Sequence, residues 1–510
     1  MLGGGLLNKH NSPKLQKFKE NNNKRKVIVT AIIISVLLLS GVYLYSSFAV
    51  FTEEKHFNVI NGTVQDPGDI YFAYYVDNSI TREMPKKGSG YTLDTEKSNC
   101  TNGVVPTWDN GGWKFIGDYS GYNATEYTRT RCNLYFKKID ITAVEYIKDL
   151  AKYDTETIAT DEAGGNIRYI GSNPNNYVWI DNNIYDYDTY QLIDEHGFSA
   201  GAMNSTLEIC NDIKNKYFSA LDYECKKLHS KGEKILWRII GVMNNIDDGN
   251  GNKGSRLKLM RNNSLGDYPW RDPGYSSADY GVNEWSESDI MKLLNPNYDD
   301  SAVNNSLFYN SQKGYCSITS YVYSKIECDF TSLGLETSLK KLSDNVLWNT
   351  GAVSLEINKI NKFYEEERGT LTGKICSNGN WCNDTVTRTI NWVGKVGLPY
   401  VSDYGYSTAG SNKISRSTCL NTNLNSWQTE DAIDCFNNSW FSKNIILTYF
   451  ITPVADNDRA DGVWYIYDDG TIDSLTADTD MSFAPTVYLK PLVKIVSGTG
   501  NSEDPYILGE

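Results

Sequence analysis

The sequence predicts a mostly β, α+β chain in three parts. These are an N-terminal transmembrane helix, a small β-sandwich-like domain, and a larger mixed domain carrying an insertion. Three observations predict it. Residues 27–51, VIVTAIIISVLLLSGVYLYSSFAVF, hold no charged side chain. All ten cysteines fall after residue 99. The remaining chain alternates short runs rich in Tyr, Trp, Ile and Val with turn-forming Gly, Asn and Asp, the pattern of short strands.

The uncharged run is long enough to cross a hydrocarbon core of about 30 Å as a helix. Before it stand Lys9, Lys14, Lys17, Lys19, Lys24, Arg25 and Lys26 against Glu20; after it come Glu53 and Glu54. Basic residues stay on the cytoplasmic side, so 1–26 is expected to be a basic cytoplasmic tail, with everything after 51 outside the cell. The run exceeds the apolar core of a cleaved leader, and a retained signal anchor is expected, single-pass in the cell membrane. No sorting tail is read after SGTGNSEDPYILGE. Residues 1–26 carry seven bases and one acid; the whole chain is −14, so removing +6 leaves −20 on the exterior. Such an acidic surface disfavours nucleic acid as a partner.

Cys100, Cys132, Cys210, Cys225, Cys316, Cys328, Cys376, Cys382, Cys419 and Cys435 form five close sequential couples. An even number outside the membrane points to a disulfide framework. Connectivity does not follow from sequence; local pairing within each couple is the expectation. Zinc binding is disfavoured, because there is no Cys-x-x-Cys and His is limited to His10, His56, His196 and His229.

Residues 57–140 are expected to form a disulfide-tied stalk, immunoglobulin-like in a loose sense, with strands such as IYFAYYV (70–76) and CNLYFKKI (132–139). The second domain, 142–508, opens with Thr142-Ala143-Val144-Glu145, a helix capping box, and Val144, Ile147 and Ala151 share one helical face. Apolar strands follow at 166–181 and 235–243, separated by a polar insertion at 182–233. The 235–243 strand and RLKLMRN (256–262) predict a hairpin around NNIDDGNGNKGS; that loop lacks the ligand spacing of a calcium site, and turn chemistry explains it. Helices are predicted over 286–295 and 355–368, with Gly369 as a C-cap. VWYIYDDGTIDSL (463–475) predicts a hairpin with a type I′ turn at Asp469-Gly470, and PTVYLKPLVKIV (485–496) a closing strand.

The ordered series NIRYIGSNPNNYVWID, LWRIIGVM, LKLMRNNSLGDYPW, NEWSESDIMKLLN, LWNTGAV, FYEEERGT, VGKVGLPYVSDYGYST, VWYIYDDGTI and PTVYLKPLVKIVSGTGNSEDPYIL resembles a family of bacterial membrane-anchored surface proteins of uncharacterised function. The resemblance implies a C-type-lectin-like C-terminal domain, similar to the formylglycine-generating-enzyme fold. It carries over no catalytic residues.

No Gly-x-Ser-x-Gly, Walker, dinucleotide or His-Glu-x-x-His motif occurs, so no catalytic site and no cofactor are expected. Cys376 and Cys382 in CSNGNWC could be reactive thiols; a small disulfide loop is the preferred reading. Asp456, Asp458 and Asp461 lie close enough in sequence to share a hard cation, against the plainer reading of an acidic turn. The expected function is binding of an extracellular glycan or protein through loops 263–285, 402–430 and 455–462, rich in aromatic and polar residues. The alternative is a structural or assembly subunit of the envelope, pilin-like or spacer.

Overall fold

The computed structural model describes residues 70–510 except 86–89, 110–112, 124–128, 139, 195–205, 220–221, 266, 272–282, 296–312, 317–325, 330–336, 370–388, 442–446, 457–459 and 468. Residues 27–51, on which the transmembrane expectation rests, lie outside that set. Among the described residues no helix is long and apolar enough to cross a membrane. Strand accounts for 40% and helix for 18%, so the fold is mostly β and of α+β type.

The first sheet is built on two parallel strands, Ile70–Val76 and Thr130–Lys138, in register from Ile70↔Thr130 to Val76↔Phe136. Tyr91–Leu93 and Asn99–Cys100 pair antiparallel with the second, and Ser79–Thr81 with the first. Alternation decides which face is covered: Cys132, Leu134 and Phe136 are buried, and Phe72 and Tyr74 pack with them. The cover is a hairpin, Trp108–Asp109 with Lys114–Phe115. Its Trp108 meets Phe136 edge-on at 5.5 Å, and its Phe115 meets Phe72 at 5.1 Å. Where a loosely immunoglobulin-like sandwich is expected, the described residues form one mixed sheet with a hairpin laid on it. Trp108, Trp113 and Phe115 of that hairpin pack on the covered face of the sheet. Cys100 and Cys132 stand opposite each other and are bonded.

Helix Ala143–Leu150 follows, started by the predicted capping box: Thr142 accepts from the Glu145 amide and Glu145 from the Thr142 amide. The next sheet has seven strands. In spatial order they are Val396–Gly397, Thr486–Tyr488, Lys253–Arg261, Lys234–Asp247, Ile167–Tyr169 and Ile158–Thr160, with Tyr177–Ile184 also paired to Lys234–Asp247. The central hairpin is the one predicted, and its loop is closed by side chains. Asp247 Oδ1 accepts from the Gly249 and Gly251 amides, both glycines having positive φ, and Asp248 Oδ1 from Asn250 and Asn252.

A six-stranded sheet, Asp267–Pro269, Asp480–Ser482, Thr448–Ala455, Gly462–Ile466 and Ile472–Thr476 in order with Val353–Ser354 beside Thr448–Ala455, shares the same hydrophobic core. In the 462–476 hairpin the turn differs from the expected type I′. Only Gly470 of the Asp469-Gly470 pair has a positive φ, and Tyr467 N–H donates to the Thr471 carbonyl. The loop is one residue longer than a two-residue turn, with glycine at the left-handed position. The predicted closing strand splits into Thr486–Tyr488, which enters the seven-stranded sheet, and Lys494–Ser497.

Inside 182–233, strands Thr189–Ile193 and Glu224–His229 pair beside helix Leu207–Tyr217 around a small core of Leu192, Cys210 and Phe218. Cys210 is bonded to Cys225 and Cys419 to Cys435, so three of the expected couples are formed. The strands carrying Cys316 and Cys328 pair antiparallel; Cys376 and Cys382 lie outside the described residues.

Candidate functional site

Five aromatic residues of the loops expected to meet a ligand turn inward. In 402–430, Tyr404, Tyr406 and Trp427 are buried, with Tyr404 edge-on to Trp427 at 5.3 Å. In the described part of 263–285, Trp270 and Trp285 are buried against each other at 5.3 Å. Each such ring removes roughly 150–250 Å² from water, which in a domain of this size outweighs display. Asp461 is buried and Asp456 half-buried, whereas Asp458 lies outside the described residues. Among the described residues no group of three His, Cys, Asp or Glu side chains could hold a metal ion.

The structure instead gathers a set of charges that the sequence does not single out. Strands Ile167–Tyr169 and Lys253–Arg261 of the central sheet meet helix Val401–Gly405 through charged side chains. Arg168 donates from Nε to Asp161 Oδ2 at 2.8 Å and from Nη1 to Asp403 Oδ1 at 2.5 Å. Asp403 Oδ2 accepts from Lys258 Nζ at 2.5 Å and from the Tyr400 amide at 2.9 Å. Asp161 is held further by the Gly164 and Asn166 amides and the Asn166 side chain. Next door, Glu367 accepts from the Ser402 amide at 3.2 Å, from Ser402 Oγ at 2.5 Å, from Thr452 Oγ1 at 3.3 Å and from Arg368 Nη1 at 3.2 Å.

Aromatic faces close the set. Lys258 Nζ lies 4.1 Å from the Tyr400 ring centre, 5.2 Å from Tyr488 and 5.4 Å from Trp348, and the Arg368 guanidinium sits 3.6 Å over Tyr364. Three cations (Arg168, Lys258, Arg368) face three anions (Asp161, Asp403, Glu367). All but Arg368 are at least 98% buried. Burial pushes the Asp403 carboxyl up, but Lys258 and Arg168 override it and hold it at about 2. Burial drives the Lys258 ammonium down to about 8, against the pull of Asp403. Burial raises Glu367. Taking five of these groups out of water is costly, and the arrangement survives because each is held by hydrogen bonds or ring faces. It ties a strand of the central sheet to a helix from a distant part of the chain. It also sets an amine against a carboxyl group in a dry site.

A second polar cluster joins the 182–233 segment to the central hairpin. His229 Nδ1 lies 3.0 Å from Glu233 Oε1, its Nε2 is 3.2 Å from Asn263 Nδ2, and its ring stacks on Tyr185 at 4.3 Å. Burial depresses its pKa, partly offset by Glu233. Nearby, Arg238 is buried between Tyr177, at 3.7 Å, and Trp440, at 4.8 Å, and donates from Nε to Asn176 Oδ1 at 2.6 Å. Burial pushes this guanidinium down to about 10.

Compared with known proteins, the chain matches no family model, no curated protein and no solved structure.

Proposed function

We propose that the chain is a bacterial cell-surface protein, anchored by residues 27–51 with its N-terminus inside, that displays a disulfide-braced head for binding an extracellular ligand. The observation that carries this reading is the oxidised cysteine framework: Cys100–Cys132, Cys210–Cys225 and Cys419–Cys435 each close a short local loop. Such bonds persist outside the reducing cytosol. The charge step across 27–51 supplies the orientation. The lectin-like arrangement of the head is inferred from the motif series it shares with the resembling family. Glycans and proteins are the ligand classes in view, and nucleic acid is disfavoured by the acidic exterior.

A second reading, a structural or assembly subunit, is favoured by the inward-facing Tyr404, Tyr406 and Trp427, which leave the 402–430 segment without an aromatic platform. Screens of the folded, exported chain against glycans and against cell-envelope proteins separate the two. Saturable binding to one class is the expected result. Silence in both screens from a demonstrably folded protein overturns the recognition reading and leaves the assembly role.

A further inference from the structure

We propose that Lys258 and Asp403 become covalently joined, the Lys258 amine condensing with the Asp403 side-chain carboxyl to form an intramolecular amide. Four features of the site support it.

The first is proximity. Nζ and Oδ2 are held 2.5 Å apart by elements 145 residues distant in sequence, and such fixation gives the two groups a very high effective concentration. The second is dryness. Both side chains are at least 98% buried, and the rings of Tyr400, Tyr488 and Trp348 surround the nitrogen. The water that would drive the equilibrium back toward hydrolysis is therefore scarce. The third is the placement of Arg168. Its Nη1 already donates to Oδ1 at 2.5 Å, the oxygen on which negative charge develops when an amine adds to Cγ. A fixed donor at that position stabilises the tetrahedral intermediate. The fourth is charge balance. Amide formation removes one buried cation and one buried anion and leaves Arg168 with Asp161 and Arg368 with Glu367, so no charge is orphaned.

The step balances without any further reactant. The ammonium passes a proton to Oδ2 across the existing hydrogen bond, leaving a free amine and a carboxylic acid. Burial lowers the Lys258 pKa and so favours the free amine, but Lys258 and Arg168 hold the Asp403 carboxyl low, so this transfer is an uphill pre-equilibrium within the fixed contact. The amine lone pair forms the N–Cγ bond, and the carbonyl electrons move onto Oδ1. Collapse of the intermediate breaks the Cγ–Oδ2 bond, and Oδ2 leaves as water with the second amine proton. Oδ1 becomes the amide oxygen, still bonded to Arg168.

The test is the intact mass of the reduced and alkylated full-length chain, followed by tryptic mapping. The expected mass is lower by one water than that calculated for the sequence with its ten cysteines alkylated, with the 257–261 peptide, uncut at Lys258, joined to the 396–413 peptide. The variants Lys258→Met and Asp403→Ala are expected to return to the full sequence mass. A wild-type chain at full mass, with 257–258 and 396–413 recovered as separate linear peptides, overturns the proposal. A water loss that maps to any other pair of residues overturns it equally. Both of these outcomes are read on the wild-type chain, so neither depends on whether the variants fold.

Discussion

Asp403→Ala is expected to destabilise the head by at least about 3–5 kcal/mol, the cost of removing one partner from the buried charge pair that exists before the amide forms, with loss of the crosslink adding to it. Arg168 and Lys258 both point at this carboxylate from within the core. Without it, two buried cations face each other with only Asp161 to share, and neither reaches water. The loss is larger than deletion of an exposed ion pair such as Lys362–Glu365 would give, since solvent screens exposed pairs. Urea unfolding of the wild type, Asp403→Ala and Glu365→Ala checks this directly. Near-equal midpoints for all three would refute the assignment of the network as a brace.

Trp440→Ala is expected to cost a similar amount, about 3–5 kcal/mol, for a different reason. The indole is fully buried, donates to the Tyr169 carbonyl at 2.8 Å and covers one face of the Arg238 guanidinium. Truncation leaves a cavity, strands a carbonyl beside it and removes a ring from a buried arginine that has no carboxylate partner among the described residues. Trp440→Phe keeps part of the volume and loses the donor, so it should fall between wild type and Ala in a thermal melt. Equal melting of Trp440→Ala and wild type would contradict the packing described.

How much of this is legible in the sequence varies from residue to residue. The start of helix Ala143–Leu150 is readable because its signal is local: Thr142 and Glu145 satisfy each other's amides within one turn. The hairpin of Lys234–Asp247 and Lys253–Arg261 is readable from a glycine- and aspartate-rich loop between two apolar runs. Connectivity does not follow from the sequence, but local pairing is the expectation, and three of the expected couples are bonded. The charge network is not readable. Lys258 alternates with Leu257 and Leu259, which suggests a strand with one wet face. Both faces of that strand are in fact covered, and nothing local reports what lies on the far side. The other members Asp161, Arg168 and Asp403 come from two distant segments, 161–168 and the stretch around 403, both rich in glycine and polar residues that resemble ordinary loops. The aromatic residues of 402–430 are misplaced by the sequence for the same reason. Tyr and Trp in a polar segment suit a ligand platform and a core equally well, and only the packing partners Phe441 and Phe450 decide in favour of the core.

Protease shaving of intact bacterial cells expressing the full chain checks the proposed export and membrane anchoring. With the membrane intact, an added protease is expected to remove the part carrying Cys100 to Cys435 and to leave the basic N-terminal tail protected inside. A head that stays protected until the cells are lysed would contradict it.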